Sequence, residues 1–359
     1  MIIIQLAGGL GNQMFQYALY LQLKSLGKIV KIDDVSGFVQ DAQRDQALKY
    51  FDIEYERPTA EELILMLDSS MLPWARVRRK LFGRKKKSYF EADKRYHPEI
   101  MEWDDIYLEG YWQTEKYFAK VAQEVRAAYN TDRLFENVCR HMCAAERKQE
   151  IPERVQEREA DVHLAAQGAG TRTPEEYLSQ ISTTESVSVH IRRGDYLLPE
   201  NRKLFGGICT EAYYRRAMAR MRREHPGCTF YIFTNDKQWI RERIDEAMRA
   251  EPDETGKVVR AETIDTAGIA DSIVIVDAAA TTEGTADQQD YAEFALMSKC
   301  RHHILANSSY SWWASYLCGN PDKTVLAPDR WLNGWDCTDI YRDDMQRVQA
   351  DGMKGISDT

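Results

Sequence analysis

The chain opens with a short apolar run, Ile2 to Leu6, which breaks at Ala7-Gly8-Gly9-Leu10-Gly11. From Asn12 to about Leu26 the apolar residues Met14, Ala18, Leu21 and Leu26 recur at helical spacing. Gly27 ends that pattern, and Ile29-Val30-Lys31-Ile32 starts a new extended segment. Strand, turn, helix, strand is the opening of a parallel α/β domain. A second series begins at Val187-Ser188-Val189-His190-Ile191, whose alternation predicts a strand. Beyond it the pattern predicts helices near 211–224, 237–250, 291–299 and 311–317, interleaved with strands at 230–234, 273–277, 303–306 and 324–326. That alternation predicts a second doubly wound sheet.

The stretch between the two series is less regular. Residues 136–176 are polar, charge-rich and weakly periodic, and read as a variable helical insertion with a linker. The expected fold class is therefore α/β, with two Rossmann-like units over 1–180 and 181–359 that face a cleft.

Composition narrows the function classes. With 359 residues, 43% hydrophobic and 29% charged, the chain is long and apolar enough for two globular domains. Its net charge of -9 provides no global positive field, which argues against general nucleic-acid binding. Seven cysteines are scattered without a CxxC pair, so reduced thiols are expected rather than a disulfide framework or a structural zinc site. The N-terminal apolar run is too short for a secretion signal, and nothing approaches the roughly 18–20 apolar residues of a membrane span. A cytoplasmic protein is expected. One local exception to the acidic balance is the run from Arg76 to Lys87, with eight basic residues, which suits a solvated helix face or peripheral contact with anionic lipid or a lipid-linked acceptor.

Four stretches carry candidate chemistry. Gly8-Gly9-Leu10-Gly11-Asn12-Gln13 resembles a phosphate-binding turn, with Gly9, Gly11 and Asn12 beside the N-terminus of a helix. Met14 stands where a dinucleotide fingerprint needs its third glycine, and no Lys-Ser/Thr pair makes the turn a P-loop. His190-Ile191-Arg192-Arg193-Gly194-Asp195-Tyr196 brings two arginines and an aspartate to the C-terminal end of a predicted strand. A planar guanidinium fork suits a pyrophosphate, while an Arg193–Asp195 ion pair holding the loop accounts for one of the two arginines. Asn307, Ser308 and Ser309 lie where a strand meets a helix, with Trp312 and Trp313 read as core. Asn235-Asp236 again ends a strand, as helix cap or ligand contact. Glu293 lies on the helix before the Ser308 turn, where a carboxylate can accept the two N–H groups of a guanine edge. His302-His303 has no Cys or carboxylate at ligand spacing, and the chain contains no Asp-x-Asp, so no metal is expected. A diphosphate leaving group would then be met by arginine and helix N-termini.

Together these stretches resemble the bacterial α-1,2-fucosyltransferases of glycosyltransferase family 11. The matching segments are Gly8 to Gln16, His190 to Tyr196 and Ala306 to Ala314, in the family's order over nearly the whole chain. The resemblance implies a GT-B-like fold, with an acceptor-side N-terminal unit and a C-terminal unit for the nucleotide sugar. It implies GDP-fucose as donor and a galactose-terminated oligosaccharide or lipid-linked glycan as acceptor, with no cofactor. It places Arg192 on the diphosphate, the Ser308–Ser309 turn on the phosphates, Glu293 on guanine, and Asn12 near the reacting centre. The expected reaction is a single inverting displacement in which a base acts late. Asp195, Glu200 and His190 are the candidates for that base. Two rivals stay open: transfer from another nucleotide sugar, and nucleotide or carbohydrate binding without turnover. A dinucleotide-dependent oxidoreductase fits less well, because Met14 replaces its third glycine and Asp33 only loosely supplies the acidic residue it needs at the end of the second strand.

Overall fold

Ile2, Ile3 and Ile4 are all fully buried, as in a strand covered on both faces. They form β1 (Ile2–Gln5), which pairs in parallel with β2 (Val30–Asp33) and β4 (Ile106–Glu109), while β3 (Ser88–Phe90) extends the sheet beyond β4. The computed structural model describes residues 1–39, 44–82, 87–146, 172–247, 273–278 and 286–350. The helix after β1 runs Leu10–Ser25, starting two residues before the expected Asn12. Strands β3 and β4 lack a clear alternation in sequence and were not expected.

The second sheet has six parallel strands: β5 (Ser186–Ile191), β6 (Thr229–Thr234), β7 (Ile273–Ile275), β8 (His302–Ile304), β9 (Val325–Pro328) and β10 (Met345–Val348). Their spatial order is β10-β9-β8-β5-β6-β7. Counted from β5, this is the 3-2-1-4-5-6 order of a Rossmann sheet, so the winding reverses between β5 and β8. Every residue of β5 is buried, and Val187, Val189 and Ile191 pack with Tyr214, Met218 and Met221 of helix Glu211–Glu224. That helix has the predicted bounds. Strand β10 was not expected.

The division of the chain differs from the expected break at residue 180. Met1–Asn130 with Gly334–Asp343 form one unit, and Thr131–Asn333 with residues from Asp344 onward form the other. The reason lies in helix Thr131–Glu146, read from sequence as part of an insertion. Its residues Leu134, Phe135, Val138 and Met142 are buried, and it packs against helix Ala286–Lys299 of the second unit. The rest of the stretch read as an insertion lies outside the described residues, apart from the helix Pro174–Thr183.

Candidate functional site

In an open α/β sheet, ligands bind at the C-terminal strand ends where the winding reverses. In the second unit that point lies between β5 and β8, and the chain places two of the candidate motifs there. After Ile191, the backbone turns through Gly194 at φ +45°, a left-handed conformation that only glycine adopts cheaply. A Cβ added there would lie 2.7 Å from Asn235 Nδ2.

Arg192 grips Asp195 side-on, with Nε 2.9 Å from Oδ1 and Nη2 donating to Oδ2 at 3.0 Å. Burial opposes the Arg192 charge, but Asp195 more than offsets it and holds the guanidinium above its ordinary pKa. The side-on grip leaves Nη1 outside the pair. Arg193 is paired too, contrary to the expectation that an Arg193–Asp195 bridge would use one arginine and leave the other unpaired. Its Nε donates to Asp236 Oδ2 at 3.2 Å, its backbone N–H to Asn235 Oδ1 at 2.9 Å, and its guanidinium lies 3.8 Å from the Trp239 ring centroid. The second arginine is therefore fastened to the loop after β6, and Asp236 also caps the next helix through Trp239 N–H.

The three base candidates have different surroundings. The Asp195 carboxylate is engaged by Arg192. Glu200 is exposed on helix Pro199–Phe205 and makes no hydrogen bond or ion pair among the described residues. His190 is buried, and burial, aided by the Arg192 charge, pushes its imidazole down to about 3, so it is neutral near pH 7. Its Nδ1 is buried without a hydrogen-bond partner among the described residues, which a ligand hydroxyl would satisfy.

The loop after β8 meets the loop after β5 directly. Tyr196 Oη donates to the Asn307 carbonyl at 3.0 Å, and the His190 ring packs on Tyr310 at 5.3 Å. Asn307 is held by Nδ2 donating to the Trp331 carbonyl. Ser308 precedes helix Ser309–Leu317 without using its hydroxyl as a cap, and the first turn of that helix starts at the same strand ends. Trp312 and Trp313 are fully buried core.

Glu293 lies inside the fold rather than on a solvated helix face. It is buried, with Oε1 accepting from Lys237 Nζ at 2.7 Å and Gln289 Nε2 at 3.2 Å. Lys237 also reaches Asp277 Oδ1 at 2.9 Å, and Arg241 binds the other oxygen of Asp277. Burial pushes Glu293 up to about 7 against the pull of Lys237. Sequence reading missed Lys237 and Asp277, although Lys237 directly follows the Asn235-Asp236 motif.

The glycine turn belongs to the first unit and lies at its own winding reversal, between β1 and β4. Gly8 has φ +76°, and Gly9 precedes the helix without a side-chain cap. Fully buried Gln13 and Gln16 clamp the turn. Gln13 Nε2 donates to the Gly8 carbonyl at 2.8 Å, while Gln16 Oε1 accepts from Ala7 N–H and its Nε2 donates to the Gly110 carbonyl. Gln113 Nε2 donates to Asn12 Oδ1 at 2.6 Å. Its loop is held by buried Glu91, which accepts from the Tyr111 and Trp112 backbone amides. Gln113 and Glu91 escaped sequence reading because β3 and β4 did.

One cluster answers to metal-ligand types among the described residues, and it brings His302 to a carboxylate far from it in sequence. Glu185, His225 and His302 bring their ligand atoms within 4.8 Å of one another. They lie at the N-terminal strand ends, opposite the loops just described. Hydrogen bonding argues against a metal: His302 Nδ1 accepts from Thr324 N–H at 3.0 Å, so Nε2 carries the proton and donates to Glu185 at 2.7 Å. A ligating imidazole needs the reverse, a bare nitrogen toward the metal and an N–H on the far side. Cys139, Cys209, Cys228, Cys300, Cys318 and Cys337 form no disulfide.

Residues 170–345 match the sequence profile of glycosyl transferase family 11. Over 359 aligned residues the chain is 23% identical to an alpha-1,2-colitosyltransferase of Escherichia coli, covering 93% of this chain and 95% of that protein. It is 24% identical to the O-antigen biosynthesis glycosyltransferase WbnK of Escherichia coli, covering 92% and 94%. Identity to galactoside alpha-(1,2)-fucosyltransferase 1 of Ateles belzebuth is 25%, covering 89% and 66%. Among solved structures, E. coli ADP-heptose lps heptosyltransferase II aligns with a TM-score of 0.39 at 11% identity, covering 97% of this chain and 90% of that one. An Arabidopsis thaliana FUT1 mutant in complex with GDP aligns with a TM-score of 0.38 at 11% identity, covering 92% and 70%.

Proposed function

We propose that the chain, whose residues 170–345 match the profile of glycosyl transferase family 11, transfers fucose from GDP-fucose to the 2-hydroxyl of a terminal galactoside, with inversion and without a metal, in surface-glycan synthesis. The observation that carries this reading is the meeting of the β5 and β8 loops at the winding reversal of a Rossmann sheet, through Tyr196 and Asn307. It supports an anionic nucleotide ligand at that place, since the Arg192 guanidinium and the helix N-terminus after Ser308 rise from the same strand ends.

Each residue then has a role. Asp195 orients Arg192 and keeps it charged, while Nη1 is left to meet the diphosphate as negative charge develops on the departing GDP. The first-turn amides after Ser308 share that charge. Gly9, Gly11 and Asn12 line the turn of the first unit, with Gln113 fixing the Asn12 amide for a sugar hydroxyl. Glu293, set by Lys237, reads the guanine edge. Neutral His190 receives a donor hydroxyl at Nδ1. An alcohol needs its proton removed only as the new C–O bond forms.

A second donor has a specific observation behind it: the relative named as a colitosyltransferase. Colitose is fucose without the 3-hydroxyl, so a site that accepts nucleotide-linked colitose would leave unused any protein group that pairs with that hydroxyl. The deciding experiment is nucleotide release from GDP-fucose, with lactose or N-acetyllactosamine as acceptor and EDTA in excess. Acceptor-dependent release of GDP that EDTA leaves unchanged supports the whole reading. Release only from GDP-colitose transfers the reading to that donor, and release only from a UDP-sugar overturns it.

A further inference from the structure

Helix Pro73–Phe82 belongs to the first unit but contributes little to its core. Trp74, Val77 and Leu81 follow the i, i+3, i+7 spacing of one helix face, with Phe82 at its edge. These four are 65%, 59%, 69% and 75% exposed. Just before the helix, Met71 and Leu72 are exposed as well, as are Ile64 and Leu65 on the preceding helix Ala60–Leu67. Eight of the seventeen exposed large hydrophobic residues among the described ones thus fall within 64–82, so this is a patch rather than scatter. The helix is also fastened in place. Arg78 forms an ion pair with Asp68, whose left-handed backbone ends the preceding helix.

The charge around this patch is equally one-sided. Arg76 and Lys80 are exposed as well, and helical spacing sets them beside the Val77 edge of that stripe. No aspartate or glutamate occurs between Asp68 and Glu91, although the chain as a whole carries -9. An exposed face of Trp, Leu and Phe flanked by cations, on a helix of low overall hydrophobicity, is the composition of a helix that lies in the plane of a bilayer surface. A protein partner of ordinary interface chemistry would match the apolar stripe alone. The cations add a preference for an anionic surface.

The geometry points to an anionic membrane surface as the partner of this face, with Trp74, Leu81 and Phe82 entering the headgroup layer while Arg76 and Lys80 meet lipid phosphates. Such docking would hold the first unit at the surface where lipid-linked glycans are found, independently of which sugar the enzyme transfers.

Flotation of the full-length protein with vesicles tests this, comparing equal parts phosphatidylglycerol and phosphatidylcholine with phosphatidylcholine alone. The protein is expected to float with the anionic vesicles and not with the neutral ones, and to dissociate as salt is raised. Trp74→Ser with Phe82→Ser should abolish flotation. Arg76→Gln and Lys80→Gln should each weaken it about fivefold. All four substitutions should leave transfer to a soluble acceptor unchanged, which separates lost docking from lost folding. Failure to float with anionic vesicles, or equal flotation with neutral ones, overturns the proposal. So does a dimer in lipid-free solution that Trp74→Ser with Phe82→Ser converts to monomer, because a second copy would then cover the face.

Discussion

Lys237 Nζ lies 2.7 Å from Glu293 Oε1 and 2.9 Å from Asp277 Oδ1, so a single ammonium holds two acidic side chains from different elements. Burial, which weakens the Lys237 charge, is outweighed by these two carboxylates, and its pKa stays raised. The arrangement makes Glu293 an aimed group with a titration near neutrality, and two pH dependences of opposite sign follow.

Because the folded-state pKa of Glu293 is about 7, above its unfolded value, its contribution to stability is complete below the ordinary glutamate range and is lost as pH rises through about 7. The proposed guanine recognition needs the ionised form, so the KM for the GDP-sugar should fall over the same rise. Glu293→Gln should flatten both curves and raise that KM by about 10- to 100-fold, the cost of one charged hydrogen-bond partner. Thermal melts and initial rates between pH 6 and 8 read these directly, and an unchanged KM profile would remove Glu293 from the nucleotide site.

Arg192→Ala is expected to lower kcat by about 10²–10³, the usual loss for one charge-stabilising donor. Arg192→Lys should recover little of it, because an ammonium cannot hold Asp195 side-on and present further N–H groups at once. Asp195→Asn should cost less than Arg192→Ala if Asp195 only orients the arginine. A loss in Asp195→Asn equal to that in Arg192→Ala, with a shifted pH profile, would make Asp195 the base instead.

Gly8 and Gly27 offer a matched pair. Both have φ near +77°, but a Cβ at Gly27 meets nothing within 4 Å, whereas one at Gly8 lies 2.6 Å from Asn12 Nδ2. Each alanine substitution should cost about 1–2 kcal/mol of stability from the left-handed backbone. Only Gly8→Ala should also depress turnover, through the displaced Asn12 amide. Equal activity in the two variants would show that Asn12 has no part in the reaction.

Zinc should leave the melting temperature unchanged, since His302 presents a proton rather than a lone pair to Glu185. A stabilisation that grows with zinc concentration and vanishes in His225→Gln would mean that the ring adopts the other tautomer and the cluster is a metal site.

Much of the second unit was legible because its strands are short apolar runs separated by long amphipathic helices. The candidate stretches 190–196, 235–236 and 307–309 all begin at or just after the C-terminal ends of such strands. The first unit was harder to read. Its β3 and β4 are three and four residues long, and the polar groups that hold its turn, Glu91 and Gln113, follow strands that carry no alternating signal. Glu293 shows the reverse limit: its chemistry was guessed, but its burial depends on Lys237 and Asp277, which only folding brings together. The Glu185–His225–His302 group could not be found from spacing, because its members are separated by 40 residues or more. The domain boundary was misplaced because helix Thr131–Glu146 looks polar in sequence, although its one apolar face is buried.

The return of residues 334–343 to the first unit sets a limit on how this chain can be divided. Asp339 accepts the Tyr96 backbone amide at 2.7 Å and the Lys116 ammonium at 2.5 Å, and Asp336 meets Arg95 at 2.5 Å. The chain then resumes in the second unit as β10. A fragment ending at Asn130 would therefore lack these partners, and one ending at Asn333 would lack the edge strand of the six-stranded sheet. Grafting the second unit of this chain onto a relative calls for exchange points on both sides of this ten-residue return rather than a single cut.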